Sequence, residues 1–399
     1  MAVKQTAGRD ALGEFAPKFA ELNDDVLFGE VWSREGQLSL RDRSLVTVVA
    51  LMAQGLTDES FRYHLTTAKK NGITKEEIAE VVTHAAFYCG WPKAWAFSAW
   101  QRISGARSRT MILNETYSLA NGVQVPKLGL GTWFIDDAEA AEAVREAVKL
   151  GYRLIDTAQA YGNERGVGEG VRTCGVRREE LFVASKIAAE LKTYEDAAKS
   201  IDETLERMGL GYLDQMIIHS PQPWSEFRVE KRYFEENKEV WRALEDARAA
   251  GKVKVIGVSN FLQDDLENLL SSCRVMPMVN QILLHITNTD SALVDFCKAQ
   301  GIQVEAYSPI AHGEALKNPA IVKMAEKYGV SAAQLCIRYV LQLGAVALPK
   351  TADPAHMESN ADVDFAISEE DMETLKNMER IANYGDFSAF PVFSGKPLA

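Results

Sequence analysis

The stretch YRLIDTAQAYGNERGVGEGVRTCGVRREELFVASK, residues 152–186, carries the pattern that decides the fold of this chain. It begins with the apolar run YRLIDTA, continues through a polar segment that contains several glycines, and returns to a second apolar run, LFVASK. Asp156 lies near the end of the first run and Lys186 ends the second. Short apolar runs separated by polar segments of helical length are typical of strand–helix units in an α/β fold.

The same alternation continues to the C-terminus. The strand candidates are KLGLGT, YRLIDTA, LFVASK, LDQMIIH, VKVIGVS, PMVNQI, IQVEAYS and AVALPK. Helical stretches such as DAEAAEAVREAVKLG lie between them, and several end in the glycine that favours a helix C-cap. Eight successive units predict a (β/α)8 TIM barrel. The alternative is an open doubly wound sheet, which usually carries GxGxxG after its first strand, but GLGTW lacks that fingerprint.

The first part of the chain shows only helical patterns. LSLRDRSLVTVVALMAQG has an apolar stripe that stops at Gly55, and ESFRYHLTTAKKNG ends in Asn71-Gly72. Thr74 and Glu77 have the spacing of a capping box that opens the helix EEIAEVVTHAAFYCG. The aromatic stretch PKAWAFSAWQRI predicts one further helix.

These patterns predict two domains, as expected for a chain of 399 residues. We place a small all-α domain at 1–105, a linker at 106–116 and the barrel domain at 117–399. The polar, basic stretch SGARSRT marks the linker, and Asn121-Gly122 predicts a hairpin at the start of the barrel domain.

The composition of the chain restricts the kinds of partner that we expect the protein to bind and the compartment in which we expect it. The net charge of −12 argues against binding to nucleic acid, because phosphates require a cationic surface. Neither a signal peptide nor a stretch long enough to cross a bilayer is visible, so we expect no membrane partner. The five cysteines are scattered without CxxC pairs or Cys/His clusters, which predicts reduced thiols in a cytoplasmic protein and no metal site.

Four polar residues lie at or just past the ends of the second, third and fourth predicted strands: Asp156, Tyr161, Lys186 and His219. Strand ends on one rim of a parallel barrel converge in space. A phenol has an ordinary pKa near 10, and a neighbouring ammonium lowers it. Each residue alone is compatible with a structural role, but together they predict proton donation to a carbonyl.

The motifs GLGTW, RLIDTAQAYGNE, VASK, IIHSP, GVSNF, VNQ and AYSP, in this order, resemble those of the aldo-keto reductases over residues 117 to 399. The resemblance implies a nicotinamide cofactor across the barrel rim and hydride transfer to an aldehyde or ketone. It assigns Tyr161 as the proton donor and His219 as the residue that orients the carbonyl. Lys186 and Asp156 are expected to tune the phenol.

The resemblance also implies a set of cofactor contacts. The implied cofactor-binding residues are Gly131, Thr132, Asp156, Ser259, Asn260, Gln281, Tyr307, Ser308, Lys350, Thr351, His356 and Asn360. Ser259, Asn260 and Gln281 are expected to bind the nicotinamide carboxamide, and Tyr307 to stack on its ring. The family normally offers an arginine to the 2′-phosphate where this chain has His356. We therefore expect NADPH to bind through Lys350 and Thr351, with unusually good use of NADH.

The substrate pocket is less defined by the sequence. Trp133, Phe134 and Trp224 are expected to be walls, together with His219. The tail aromatics Tyr384, Phe387, Phe390 and Phe393 either line the pocket or only cover the barrel. The short C-terminal segment favours small carbonyls, keto acids or diketones over steroids.

The helical half, over residues 10 to 100, resembles the carboxymuconolactone decarboxylase family through RDRSLVTVVALMAQG, YHLTTAKKNGITKEEIAEVVTHAAFYCG and WPKAWAF. Its candidate site residues are Arg43, His64, Glu80 and His84. Arg43 and His64 are of the types that hold a carboxylate and move a proton, whereas Glu80 and His84 are spaced to pair with each other on one helix. Because such domains self-associate, we expect this half to assemble the barrels into a homo-oligomer. Decarboxylation of a γ-carboxylactone is the alternative, and a cofactor-sensing subunit without turnover is a third hypothesis.

Overall fold

The structure is a computed structural model that describes Thr6, Gly8–Arg9 and residues 13–56, 59–94 and 112–394. The chain divides into two compact units, Met1–Arg107 and Ser108–Ala399. The domain boundaries inferred from the sequence stay a prediction. No helix within the described ranges combines the length and the hydropathy that a bilayer-spanning segment needs.

The described part of the first unit is helical. It contains α1 (Pro17–Glu21), a π-helix (Leu22–Val31), α2 (Leu40–Gln54), α3 (Glu59–Lys70) and α4 (Lys75–Cys89). Helix α2 ends at Gly55, which has the left-handed φ of 78° that a C-cap requires. The predicted capping box is confirmed, because Thr74 Oγ1 accepts from Glu77 N while the Glu77 carboxylate accepts from Thr74 N. Most of the predicted helix PKAWAFSAWQRI and all of SGARSRT lie outside the described residues.

A hairpin precedes the barrel, as predicted. Strands β1 (Thr116–Ser118) and β2 (Gln124–Pro126) pair antiparallel around Gly122, whose φ is 82°. Val125 of β2 is fully buried in a cluster with apolar residues of the barrel strands, including Leu154 and Val279. The hairpin therefore packs against the interior of the barrel.

The predicted barrel is confirmed. Its strands are β3 (Gly129–Gly131), β4 (Leu154–Asp156), β5 (Phe182–Ile187), β6 (Leu213–Ile218), β7 (Val253–Ser259), β8 (Val279–Leu283), β9 (Gln303–Tyr307) and β10 (Val346–Leu348). Each strand pairs parallel with the next one along the chain. The bridges Leu128↔Ala347 and Gly131↔Lys350 join the first barrel strand to the last. Polar residues at the strand ends therefore face a common rim.

Helices follow the strands and cover the outside of the barrel. They are α5 (Asp137–Leu150), α6 (Glu164–Thr173), α7 (Tyr194–Met208), α8 (Phe234–Ala249), α9 (Gln263–Leu270), α10 (Ser291–Ala299), α11 (Glu314–Lys317), α12 (Pro319–Tyr328), α13 (Ala332–Gln342), α14 (Pro354–Ala361) and α15 (Glu369–Lys376). Helix α5 shows why they form here: Ala140, Val144 and Ala147 are spaced along one face and are fully buried. A Cβ at Gly166 of α6 would lie 2.1 Å from the Asp137 carbonyl oxygen, so α6 approaches α5 only because that residue is glycine.

Candidate active site

A cavity of about 520 Å³ opens at the rim formed by the carboxyl ends of the barrel strands. The predicted site residues that line it are Gly131, Thr132, Trp133, Phe134, Asp156, Tyr161, His219, Trp224, Ser259, Asn260, Gln281, Tyr307, Ser308 and Lys350. They come from positions far apart in the sequence, and the parallel register of the strands brings them together.

Lys186 lies at the centre of a hydrogen-bonded cluster beneath this cavity. Its side chain is 1% exposed, and Nζ donates to Asp156 Oδ2 at 2.6 Å, to the Thr157 carbonyl oxygen at 2.9 Å and to Tyr161 Oη at 3.2 Å. Three acceptors match the three protons of an ammonium. The structure therefore holds Lys186 as a cation in direct contact with the phenol.

The turn that carries Tyr161 is fixed by side chains at its base. Gln159 Oε1 accepts from Ala188 N at 2.8 Å, and its Nε2 donates to the Ser200 carbonyl oxygen at 3.1 Å. Asn163 Nδ2 donates to the Thr132 carbonyl oxygen at 2.9 Å. A loop anchored on both sides in this way presents the phenol in one position.

The electrostatics of Tyr161 and Lys186 differ in one respect from the sequence-based prediction. Burial raises the pKa of the Tyr161 phenol, and Lys186 lowers it by less, so the pKa of Tyr161 lies above its ordinary value. The expected lowering by the ammonium is present, but burial outweighs it. Burial also opposes the charge of Lys186, yet Asp156 and Tyr161 raise the pKa of Lys186 above its ordinary value. The pair is thus a protonated phenol beside a charged lysine at neutral pH.

His219 completes the predicted group of four. Burial, together with the nearby Lys186, holds the pKa of the imidazole well below its ordinary value, so the ring is neutral at pH 7. The ring centre lies 5.6 Å from that of Tyr161 and 5.0 Å from that of Trp224, edge to face in both cases. A neutral imidazole beside the phenol offers an N–H to an oxygen in the cavity.

A second polar group lies on the neighbouring strand ends. Ser259 Oγ donates to the Gln281 carbonyl oxygen at 2.8 Å, and Asn260 Nδ2 donates to Ser259 Oγ at 3.1 Å. Tyr307 Oη donates to Asn260 Oδ1 at 2.7 Å. Asn260 has a φ of 61°, a left-handed conformation that an asparagine tolerates better than most residues. These residues form one continuous wall of amides, hydroxyls and an aromatic ring.

The residues expected near the adenosine end of the cofactor lie just before α14 or within it. Lys350 lines the cavity, whereas Thr351, His356 and Asn360 do not. Thr351 Oγ1 accepts from Asp353 N at 3.0 Å. The His356 side chain is 72% exposed, with Nδ1 3.9 Å from Asp353 Oδ2. This corner therefore presents an exposed imidazole beside a carboxylate.

The aromatic tail lines the cavity, which decides between the two interpretations of that segment. Phe387, Phe390 and Phe393 are lining residues. The Trp133 ring meets Phe390 edge to face at 5.1 Å and stacks on Phe393 at 5.9 Å. Tyr384 has a different place, because its hydroxyl lies 3.0 Å from Nε2 of the buried His285.

Neither His312 nor Glu305 was singled out in the sequence. His312 lines the cavity and stacks on Phe387 with ring centres 3.9 Å apart. Glu305 is 1% exposed inside the barrel and accepts hydrogen bonds from Gln215 and Gln281. Only Glu305 had a readable signal, because it is a charged residue in the middle of the apolar strand IQVEAYS.

The candidate residues of the helical unit are not gathered in one pocket. Glu80 and His84 line a groove of about 510 Å³ with Tyr88 and Cys89, whereas Arg43 and His64 do not line it. Arg43 donates to the Arg34 carbonyl oxygen at 2.9 Å. The groove thus contains two of the four predicted residues, and decarboxylation in this unit stays a prediction.

Each half of the chain matches a known protein family. The model of the aldo/keto reductase family matches residues 127–380, and that of the carboxymuconolactone decarboxylase family matches residues 17–102. Both resemblances inferred from the sequence are confirmed.

Individual relatives match the barrel half. A glyoxal reductase of Bacillus subtilis is 42% identical over 275 residues, which cover 68% of this chain and 96% of that protein. The crystal structure of an aldo/keto reductase from Brucella melitensis has a TM-score of 0.61 at 37% identity and covers 66% of this chain and 98% of its own. A Bombyx mori aldo-keto reductase in complex with NADP has a TM-score of 0.62 at 29% identity, covering 70% of this chain and 98% of its own.

Proposed function

Because the chain belongs to the aldo-keto reductase family, we propose that its barrel reduces an uncharged aldehyde or ketone to an alcohol, with Tyr161 as the proton donor. Aldo-keto reductases use NADH or NADPH, and the bound cofactor would supply the hydride. The observation that carries the proposal is the contact of 3.2 Å between Lys186 Nζ and Tyr161 Oη at the wall of the cavity.

The four residues fit the proton-transfer half of this reaction. Tyr161, protonated at neutral pH, gives its proton to the oxygen that becomes the alcohol. The phenolate that remains is stabilised by the Lys186 ammonium, which Asp156 holds in place at 2.6 Å. His219, as a neutral donor, orients the carbonyl oxygen towards the phenol.

The wall beside this group fits a nicotinamide. Tyr307 supplies an aromatic ring, and Ser259, Asn260 and Gln281 supply hydrogen-bonding groups for a carboxamide. Lys350, with Thr351 next to it, suits a phosphate at the far end. We propose NADPH as the cofactor, with NADH also used well, because His356 offers an exposed imidazole in place of a guanidinium.

The walls of the cavity point to an uncharged substrate. Trp133, Trp224 and the tail phenylalanines supply apolar surface. Of the described residues that line the cavity, Asp156 and Lys350 carry a formal charge, and Lys350 is assigned to the cofactor. No lining cation is then left for the carboxylate of a keto acid, so we favour aldehydes and diketones over keto acids. Glyoxal, in the name of the Bacillus subtilis relative, is an uncharged dicarbonyl of this class.

The experiment is NADPH oxidation by the full chain with a panel of carbonyls, comparing the wild type with Tyr161→Phe. We expect turnover with uncharged aldehydes or diketones, lower kcat/KM for carboxylate-bearing carbonyls of equal size, and a loss of about 10²–10⁴-fold in kcat for the variant. Equal rates for Tyr161→Phe and wild type would remove the phenol from the mechanism. No turnover of any carbonyl by the wild type would remove the reductase assignment itself.

The helical unit is assigned to assembly. It exposes several large apolar side chains: Phe15 at 89%, Phe19 at 60%, Phe87 at 74% and Tyr88 at 80%. Contiguous apolar surface marks association sites in folded proteins, and Phe87 meets Trp91, which is itself 53% exposed, with ring centres 5.5 Å apart. We propose that the unit joins copies of this chain into a homo-oligomer. The cytoplasmic location stays a prediction.

A further inference from the structure

Glu305 is a carboxylate inside the barrel that takes no part in the chemistry described so far. Its Oε2 accepts from Gln215 Nε2 at 2.9 Å and from Gln281 Nε2 at 2.9 Å, while its Oε1 has no hydrogen-bond partner among the described residues. Burial raises the pKa of Glu305 to about 7. No described cation pairs directly with this carboxyl group, and burying such a group costs free energy of folding, which points to a role beyond packing.

Gln281 is shared between Glu305 and the catalytic group. Its Nε2 donates to Asp156 Oδ1 at 3.0 Å as well as to Glu305 Oε2. A primary amide nitrogen has two protons, and here both are used. Turning the amide over would place its oxygen against the Glu305 carboxyl group and against the Asp156 carboxylate, which is paired with Lys186 and can only accept. The two carboxyl groups therefore fix one orientation of the Gln281 amide.

This orientation determines what Gln281 offers to a ligand. Gln281 lines the cavity, whereas Glu305 and Gln215 do not. Because the amide nitrogen is committed to the barrel interior, the oxygen is the polar atom left for a bound group. That group must be a hydrogen-bond donor, and the amide nitrogen of a nicotinamide carboxamide is one.

We propose that Glu305 is a positioning residue that turns the Gln281 amide oxygen towards the carboxamide of the bound nicotinamide. This inference rests on the proposed function, because it takes the cavity to be the cofactor site. The acceptor oxygen of Glu305 is what matters, and its charge is not required. Asp156 on β4 and Lys186 on β5 are the charged groups that act on it across the barrel.

The test is the affinity of the full chain for NADPH, measured without substrate by quenching of protein fluorescence. Glu305→Leu removes the acceptor, and we expect the Kd for NADPH to rise about tenfold, the effect of one lost hydrogen bond. Glu305→Gln keeps an amide oxygen that can accept from Gln281, so we expect a Kd within about twofold of wild type. Glu305→Met serves in place of the leucine variant if that variant does not fold.

The matched control is Gln215→Leu. Gln215 donates to the same oxygen of Glu305 but does not contact the cavity, so its loss should affect stability and leave the Kd within about twofold. Combining Glu305→Leu with Gln281→Leu should weaken binding no further than Gln281→Leu alone, since the effect travels through Gln281.

Each other outcome identifies what is wrong. If wild type does not bind NADPH, the proposed function fails. If wild type binds and Glu305→Leu binds equally well, only the positioning role fails. If Glu305→Gln weakens NADPH binding as much as Glu305→Leu does, the charge of Glu305 acts instead of its acceptor oxygen. If Gln215→Leu weakens binding equally, the effect is one of general packing.

Discussion

The candidate site residues of the two units differ in their surroundings. At the barrel rim, Lys186 is buried and makes three hydrogen bonds to its neighbours, and Gln281 links Asp156 to Glu305. In the helical unit, Glu80 and His84 are exposed beside a shallow groove. Burial makes the barrel charges interact strongly, whereas exposed charges are screened by water.

Exposed apolar surface shows the opposite distribution. The helical unit exposes Phe15, Phe87 and Tyr88 by more than two thirds, while the large aromatics at the barrel rim line the cavity, where Phe134 is 52% exposed and Phe390 37%. Buried charged groups beside an aromatic-lined cavity are typical of a catalytic site, whereas aromatic side chains exposed on the surface are typical of an association site. This contrast agrees with the proposal that the barrel carries turnover and that the helical unit mediates assembly.

The largest expected effect is that of Lys186→Met. Without the ammonium, the pKa of Tyr161 rises further and the phenolate loses its stabilising cation, so we expect kcat to fall about 10²–10⁴-fold. The measurement is steady-state NADPH oxidation with an uncharged aldehyde. Because Asp156 is left buried and unpaired, Asp156→Asn/Lys186→Met is the control: it should regain stability without regaining rate. Recovery of the rate in the double variant would show that the lysine serves only folding.

The next effect concerns the pH dependence of barrel stability. The pKa of Glu305 in the folded state, about 7, lies above its ordinary value of 4.5, so the folded state loses stability as pH rises from 4.5 to 7. Glu305→Gln removes this loss. Relative to wild type, we expect the variant to gain about 2 kcal/mol in free energy of unfolding between pH 5.5 and pH 8. Urea unfolding of both proteins at the two pH values measures it, and a constant difference would contradict the assignment.

A smaller effect is expected at the adenosine corner. His356→Arg supplies a guanidinium for the 2′-phosphate, so the ratio of kcat/KM for NADPH over NADH should rise about tenfold. His356→Gln is the control, because it removes the imidazole without adding charge. An unchanged ratio in the arginine variant would place the 2′-phosphate elsewhere.

The smallest effect on turnover is expected in the helical unit. Phe87→Ser combined with Tyr88→Ser should lower the molar mass of the assembly in light scattering while kcat/KM stays within about twofold. Met276→Ser, an exposed apolar residue of the barrel, is the matched control and should leave the mass unchanged. Unaltered mass in the double variant would contradict the division of roles between the units.

Much of the barrel could be predicted from the sequence because its signals are local. Strand β4 lies within the short, mainly apolar run YRLIDTA, and Asp156 is its last residue. The capping box at Thr74 and the turn at Gly122 depend on residues within a few positions of each other. Local patterns of this kind need no knowledge of the rest of the chain.

The remaining features depend on contacts between distant residues. Gln215 and Glu305 are 90 residues apart, and Gln281 and Asp156 are 125 apart. Their hydrogen bonds exist only once the barrel closes. The direction of the pKa shift of Tyr161 could not be predicted either, because the sequence indicates a nearby lysine but not how deeply both groups are buried. The place of the tail beyond Tyr384 at the cavity also depends on contacts with residues that are distant in the sequence.

One measurement tests the assignment of chemistry to the barrel most directly. Oxidation of NADPH by an uncharged aldehyde is followed for the full chain as wild type, Tyr161→Phe and His84→Ala under identical conditions. We predict that His84→Ala matches wild type and that Tyr161→Phe loses at least about a hundredfold in kcat. The account would be contradicted if Tyr161→Phe were as fast as wild type, or if His84→Ala lost at least about a hundredfold in kcat.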